Sequence, residues 1–367
     1  MTLTERAWAF ARALTAIGER SPLASGRPLD WIIIANPRAG GFMIRSRWKH
    51  HSETLKRLVE QTGAKARLPG AGPSPIAPPQ GLILTTGPGQ AEQAVSRLIA
   101  EWGALGGDTF HLIITAGGDG TSREALSAVY KAAESVRQRL GVLRLPLGTG
   151  NDGADAPALD KALEALLYPC EAALSRAVRL TTARGAEFYG FNILSLGLDA
   201  FVTHMTNKMK GFFPGDSYKL WVDMAALFYD TLYHVGEMQV EGFDEQGNRT
   251  GFLKEPLLLL AMGPSGRRSY GSGKRILPDE RNVCALKQMP LFRKLALKGL
   301  FASGGHAGKA EAVLFHAHKL IIQGAAPILA QMDGETALLG PEDFPASLAR
   351  TEPVIPTLQP RPLRGFL

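Results

Sequence analysis

The chain has 367 residues, 45% hydrophobic and 20% charged, which is enough for two domains with cores of their own. Its 41 Lys and Arg exceed its 34 Asp and Glu, and the resulting net charge of +7 favours an anionic partner. No stretch approaches the ~18 uninterrupted apolar residues of a membrane span, two cysteines make neither a disulfide framework nor a zinc spacing, and no aromatic-basic interleaving points to nucleic acid.

Residues 1–18 carry a helical stripe of Leu3, Ala7, Phe10, Leu14 and Ile17, spaced by four and three. Packing on its own domain is the plain reading of this stripe; a membrane-surface or dimer helix is the sharper one. Glu5, Arg6 and Arg12 interrupt the apolar run a signal peptide needs, so a cytoplasmic location is expected. A linker follows over 21–28. The apolar run 31–35 reads as a strand and opens into Asn36-Pro37-Arg38-Ala39-Gly40-Gly41, with a helix near 46–61. A Pro/Gly-rich loop covers 68–80. A strand at 82–85 and a helix near 90–102 come next. The apolar run 110–115 then ends in Gly117-Gly118-Asp119-Gly120-Thr121, and the helical pattern of 122–140 begins directly behind it at Ser122-Arg123-Glu124. A fourth strand, 142–147, opens into Gly148-Thr149-Gly150-Asn151-Asp152, and a short helix at 158–168 leads out. Alternating strands and helices predict a parallel, doubly wound sheet.

The second half has a different texture. Strand patterns fall at 178–182, 187–194, 238–242, 257–262, 283–289, 312–323 and 328–332, with helices near 199–210, 217–235 and 291–301. The expected organisation is an amphipathic helix and linker over 1–30, a nucleotide-binding α/β domain over 31–157, and a mostly antiparallel, β-rich domain over 158–340. A Pro-rich segment over 341–367 is expected to return toward the first domain.

Three small polar turns, each behind a strand, would line one crevice at the carboxyl edge of such a sheet. Their glycines let backbone N–H groups approach a phosphate chain. Asp119 would repel phosphate, so its expected work is through a cation or a proton. Other patterns carry less. Gly148-x-Gly150-x-x-Gly153 matches a dinucleotide fingerprint formally, but Ala156-Pro157 spoils the helix that should follow. Gly273-Lys274-Arg275 and Gly308-Lys309-Ala310 lack the hydroxyl of a P-loop. His316-x-His318 puts two imidazoles on one expected strand face without a third ligand. The loose basic clusters at Arg45, Arg47 and Lys49 and at Arg267, Arg268, Lys274 and Arg275 read as solvated faces.

The three turns, in this order and spacing, resemble the diacylglycerol kinase catalytic family, which includes sphingosine and ceramide kinases and soluble bacterial lipid kinases. Asn192-Ile193-Leu194-Ser195-Leu196-Gly197-Leu198-Asp199-Ala200, Tyr270-Gly271-Ser272-Gly273 and Asp333-Gly334-Glu335 resemble later segments of the family. The resemblance runs from about residue 31 to about 356. It implies an NAD-kinase-like α/β domain with ATP in an interdomain cleft, and a β-sandwich-like second domain. It implies nucleotide contacts from Asn36, Pro37, Arg38, Ala39 and Gly40, from Thr85, from Gly117, Gly118, Gly120, Thr121, Ser122, Arg123 and Glu124, and from Gly148, Thr149, Gly150, Asn151 and Asp152. It implies Glu335 as proton acceptor, with Asp119 organising magnesium through the ATP phosphates. The chain departs from the family at Gly153-Ala154-Asp155, where a basic residue is expected. A turn that holds a structural magnesium in bacterial relatives is replaced by Pro278-Asp279-Glu280-Arg281-Asn282, and no structural metal site is expected there.

The leading expectation is an ATP- and magnesium-dependent kinase of a diacylglycerol- or sphingoid-like lipid, cytoplasmic and transiently peripheral to anionic membranes. Nucleic acid is not an expected partner. An NAD kinase shares the Gly-Gly-Asp-Gly turn and is the first alternative. A non-catalytic nucleotide- or lipid-binding protein of the same fold is the second.

Overall fold

A computed structural model describes residues 1–19, 21–24, 28–62, 81–148, 150–209, 229, 235–270 and 273–360. The expected loop at 68–80, nearly all of the expected helix at 217–235, Thr149, Gly271 and Ser272 lie outside the described residues. The chain divides into two compact units, 1–175 with 354–367, and 176–353.

The first unit opens with α1 (Leu3–Gly18), whose Thr2 and Glu5 form a reciprocal capping box. Ala7, Phe10, Leu14 and Ile17 are fully buried in the core of this unit, so the stripe is a packing face and not a membrane or dimer surface. Then follow β1 (Leu29–Ala35), α2 (Gly40–Met43), α3 (Arg45–Gln61), β2 (Leu82–Leu84), α4 (Gln90–Leu105), β3 (Phe110–Gly117), α5 (Asp119–Lys131), α6 (Glu134–Arg137), β4 (Leu140–Pro146), α7 (Leu159–Leu167) and β5 (Cys170–Ser175). The helix expected over 122–140 is thus two. Ala132 turns extended after α5, and Val136 of α6 sits seven residues beyond Val129, which mimics a continuous stripe.

All eight residues of β3 are buried, as a strand covered on both faces requires. Trp31, Ile33, Leu112 and Ile114 join a core with α1, α3 and α7. The opposite face meets α5, where the Thr115 and Ser122 hydroxyls pair at 2.9 Å.

The second unit is antiparallel. It holds β6 (Val178–Thr181), β7 (Glu187–Gly190), β8 (Leu194–Gly197), α8 (Leu198–Met209), β9 (Glu237–Phe243), β10 (Arg249–Met262), β11 (Arg268–Tyr270), β12 (Lys274–Leu277), β13 (Val283–Lys287), α9 (Leu291–Leu300), β14 (Ala312–Phe315), β15 (Lys319–Gly324), β16 (Ile328–Met332), β17 (Glu335–Leu339) and β18 (Ala346–Arg350). The 14-residue β10 joins two layers: Arg249 to Pro256 pair with β9, and Leu257 to Met262 pair with β8 and β13. Val240, Leu320, Ile322 and Leu348 of one layer share a core with Leu196, Leu260, Met262 and Ala330 of the other, so the unit is sandwich-like. The alternate residues Leu259, Ala261, Cys284 and Leu286 face a second core with residues of α8 and α9. The strand expected over 312–323 is broken because the Asn282 amide takes both backbone groups of Ala317, at 3.0 and 2.9 Å. His316 and His318 therefore do not stand on a strand.

The chain then returns as β19 (Ile355–Pro360), parallel to β4 and antiparallel to β5. The first sheet runs β2-β1-β3-β4-β19-β5. Because β5 adds to this sheet through β19, the first unit extends to Ser175 rather than ending near 157.

Candidate active site

The registers of the first sheet set up the site. Ala35 is opposite both Leu84 and Ala116, and Gly117 is opposite Pro146. Four parallel strands therefore end in line, and Thr85, Asn36, Gly118 and Gly148 emerge side by side. The strand order reverses between β1 and β3, the place where open α/β sheets bind ligands.

Each turn is held by specific bonds. Asn36 Oδ1 accepts from Arg38 N at 2.9 Å, closing an Asx turn at Pro37, and Ala39 N donates to Asn36 O. Gly41 N donates to Leu147 O at 2.7 Å, which joins the first turn to the third; a Cβ on Gly41 would lie 2.9 Å from that oxygen. Thr85 donates from both N and Oγ1 to Ala35 O. Gly40 opens α2, and Gly120 and Thr121 lie in the first turn of α5.

The second and third turns interlock. A Cβ on Gly148 would stand 2.6 Å from the Gly118 Cα. Asp119, the first residue of α5, accepts from Gly153 N through Oδ1 at 2.9 Å. Asn151, at φ 61°, accepts from Gly148 N at 2.5 Å and closes the third turn on itself. Oδ2 of Asp119 and Oδ2 of Asp152 both lie about 3 Å from the Cβ position of Gly150, at 3.1 and 3.0 Å. An oxygen of each carboxylate thus lies beside Gly150, near the N-terminus of a 13-residue helix whose backbone N–H groups favour anions.

Some expected contact residues are engaged elsewhere through their side chains. Glu124 is buried, and its carboxylate accepts from Gly89 N at 2.8 Å and Ala91 N at 3.1 Å, capping α4. Ser122 is spent on Thr115. Arg123 stands half-buried on α5. Sequence reasoning missed Arg47, read there as part of a solvated face: from α3 its Nη1 donates to Gly148 O at 3.0 Å. It missed as well how Asp155 is accommodated. Arg144 of β4 grips it through N, Nε and Nη2 at 2.6, 2.9 and 2.7 Å, so the acid at the departing position is neutralised from within the sheet.

In the second unit, Asp333 (φ 47°) and Gly334 (φ 100°) form a two-residue left-handed hairpin turn between β16 and β17. Asp333 is buried, and its carboxylate accepts from the backbone N–H groups of Phe191, Asn192 and Ile193 at 2.5, 2.9 and 3.0 Å. This explains the break in the strand expected over 187–194. Gly334 N donates to Gln331 Oε1, and Asn207 of α8 donates to Gly334 O at 2.8 Å. Asp199 accepts from Ser195 Oγ at 2.8 Å and Gln331 Nε2 at 3.2 Å. Glu335, opposite Met332, stands exposed at the head of β17, on a turn fixed from three sides. Asp279 pairs with Arg281, and Glu280 with Arg267 at 2.5 Å. Among the described residues no group of three or more His, Cys, Asp or Glu could hold a metal ion, and no helix is long and apolar enough to cross a membrane.

Residues 77–183 match the family model of the diacylglycerol kinase catalytic domain. A Yersinia enterocolitica protein named "Probable lipid kinase YegS-like" is 30% identical over 200 residues, 53% of this chain and 60% of its own length. "Probable lipid kinase YegS" of Salmonella arizonae is 30% identical over 199 residues, again 60% of its length. The match thus spans less than two thirds of these curated relatives. Among solved structures, "A putative diacylglycerol kinase from Bacillus anthracis str. Sterne" aligns over 89% of this chain and 96% of its own, with a TM-score of 0.55 at 15% identity. That likeness concerns the fold, and it agrees with the expected α/β unit followed by a mostly antiparallel one. The resemblance carried by the three turns is borne out.

Proposed function

We propose that this chain, similar to the diacylglycerol kinase catalytic family, is a lipid kinase that transfers the γ-phosphoryl group of ATP to a hydroxyl of a diacylglycerol- or sphingoid-like lipid. The observation that carries the reading is the interlock of the second and third turns: Asp119 binds Gly153 N, Gly118 and Gly148 touch, and α5 starts at the junction. A side chain on Gly148 would push the second turn away, so this glycine lets the two turns and their backbone N–H groups close together at the start of α5, where a phosphate chain would be met.

In this reading Asn36, Pro37, Arg38, Ala39 and Gly40, Thr85, Gly117 to Thr121, and Gly148 to Asp152 cradle the nucleotide, chiefly by backbone N–H groups. Arg47 holds the third turn from behind. The carboxylates of Asp119 and Asp152, both beside Gly150, would hold a hard divalent cation together with the ATP phosphates. Magnesium, when bound there, would offset charge on the transferring phosphoryl group. The lipid oxygen forms the new bond to γ-phosphorus, the bond from γ-phosphorus to the β,γ-bridging oxygen breaks, and ADP leaves with that electron pair. Glu335 accepts the hydroxyl proton. Asp333, Gln331 and Asn207 are positioning residues that fix the turn presenting it.

The test is transfer of labelled phosphate from ATP with magnesium to a panel of micelle-dispersed lipids, with NAD as a control acceptor. Label in a lipid supports the reading. Label in NAD alone favours an NAD kinase, and label in neither favours a binding protein.

A further inference from the structure

Helix α9 carries an apolar face to solvent beside its buried one. Phe292 is 68% exposed, Leu295 51% and Leu291 41%, while Lys294 is 9% exposed and Leu297 5%. At about 100° per residue, the three exposed apolar side chains fall within one third of the helix circumference. A surface helix normally turns its polar residues outward, and a contiguous exposed apolar patch marks a docking surface.

The charge around the patch narrows the choice of partner. From Arg281 to Ala310 the chain carries six Lys and Arg and neither an Asp nor a Glu. In the fold Arg281 pairs with Asp279 and Lys287 with Glu255 at 3.1 Å, which leaves the basic residues of α9 itself, with Lys309 beyond it, to set the charge near the patch. Arg293 reaches Glu311 at 3.6 Å from a position 58% exposed, where such a contact is weakly held. Phe and Leu flanked by Lys and Arg on one short helix is the composition of an element lying in a bilayer interface. The inner side of α9 is anchored: Leu297 shares a core with Phe201 of α8 and Leu329 of β16. Helix α8 in turn holds the turn before Glu335, through Asn207 to Gly334 O and His204 to Thr336.

We propose that α9 docks the protein on an anionic lipid bilayer, with Leu291, Phe292 and Leu295 in the headgroup–acyl boundary and Arg293 and Lys298 at the level of the lipid phosphates. The purpose of the contact rests on the lipid-kinase reading, in which the acceptor lies in a membrane. One short helix gives reversible rather than permanent attachment.

The test uses the full chain and the double variant F292S/L295S. Both are co-sedimented with vesicles of phosphatidylcholine alone and of phosphatidylcholine mixed with phosphatidylglycerol, at low and high salt. The intact protein should prefer the anionic vesicles and lose them as salt rises. The variant should bind them at least about tenfold more weakly while keeping its melting temperature and its transfer rate in micelles. Unchanged vesicle binding by the variant overturns the proposal, as does failure of the intact protein to bind any vesicle. An intact dimer that the substitutions split into monomers also overturns it, because α9 then meets a second copy of the chain. Vesicle binding that depends on α9 without lipid transfer in micelles supports the docking and defeats the kinase reading. Transfer in micelles with vesicle binding indifferent to α9 does the reverse.

Discussion

At the scale of single residues, the proposed function gives Asp119 and Glu335 different work. Asp119→Asn keeps an oxygen to accept from Gly153 N but removes a charge beside Gly150, where the proposal puts the cation. The melting temperature should stay near that of the parent, and turnover should fall by roughly a hundredfold or more. Near-parental turnover would remove Asp119 from the mechanism. Glu335→Gln keeps the size of an exposed side chain and abolishes its ability to take a proton. Its catalytic rate should drop by roughly a hundredfold with nucleotide affinity unchanged. If nucleotide binding is lost instead, Glu335 is structural. Asn36 and Asp119 were legible as candidates because three glycine-bearing turns, each behind an apolar run, recur in one order, and Glu335 only through the resemblance of Asp333-Gly334-Glu335 to a family segment. Arg47 was not, because one arginine among three on a helix looks the same whether it meets water or a carbonyl oxygen.

At the scale of elements, two helices show how a local pattern becomes a contact. Phe10 of α1 is fully buried and meets Phe42 edge-on at 5.4 Å between ring centroids. Phe10→Ala should cost about 3–5 kcal/mol of stability, read from denaturant unfolding. An effect below about 1 kcal/mol would mean that α1 is an attachment rather than part of the core. The N-terminus of α4 lacks a capping side chain of its own and borrows one from α5, Glu124. Glu124→Ala leaves two N–H groups without that acceptor, so stability should fall by about 1–3 kcal/mol. Nucleotide affinity, measured by calorimetry on the folded variant, should stay within about threefold if the carboxylate serves only α4.

At the scale of the whole molecule, the titration of buried histidines bears on acid stability. Burial, then the nearby His50 and Arg47, hold His51 down to about 4 from 6.5, and burial lowers His306 in the same direction. The unfolded chain therefore binds more protons than the folded one between about pH 6.5 and 4. Stability is complete above that window and declines as pH falls through it. His51→Gln should flatten the decline by about 1 kcal/mol at pH 5, after discounting for the part of the ring that solvent screens. Melting temperatures at pH 7 and pH 5 check this. An unchanged difference between the two would show that His51 ionises freely in the fold.

What the sequence by itself determined is the alternation of strands and helices, the change of texture in the second half, and the three turns. Hydrophobic period and glycine placement are local properties, and they survive in one dimension. What only the tertiary structure decided are the long-range partners. β19 returns to pair with β4 and β5, which moves the unit boundary to residue 175. Asn282 breaks a strand thirty-five residues away by bonding Ala317. Arg144 neutralises Asp155, and Asp333 gathers three N–H groups from 191–193. Each depends on a donor meeting an acceptor across the fold. Such a meeting leaves no period in the chain, because its geometry is fixed by sheet register rather than by neighbouring residues.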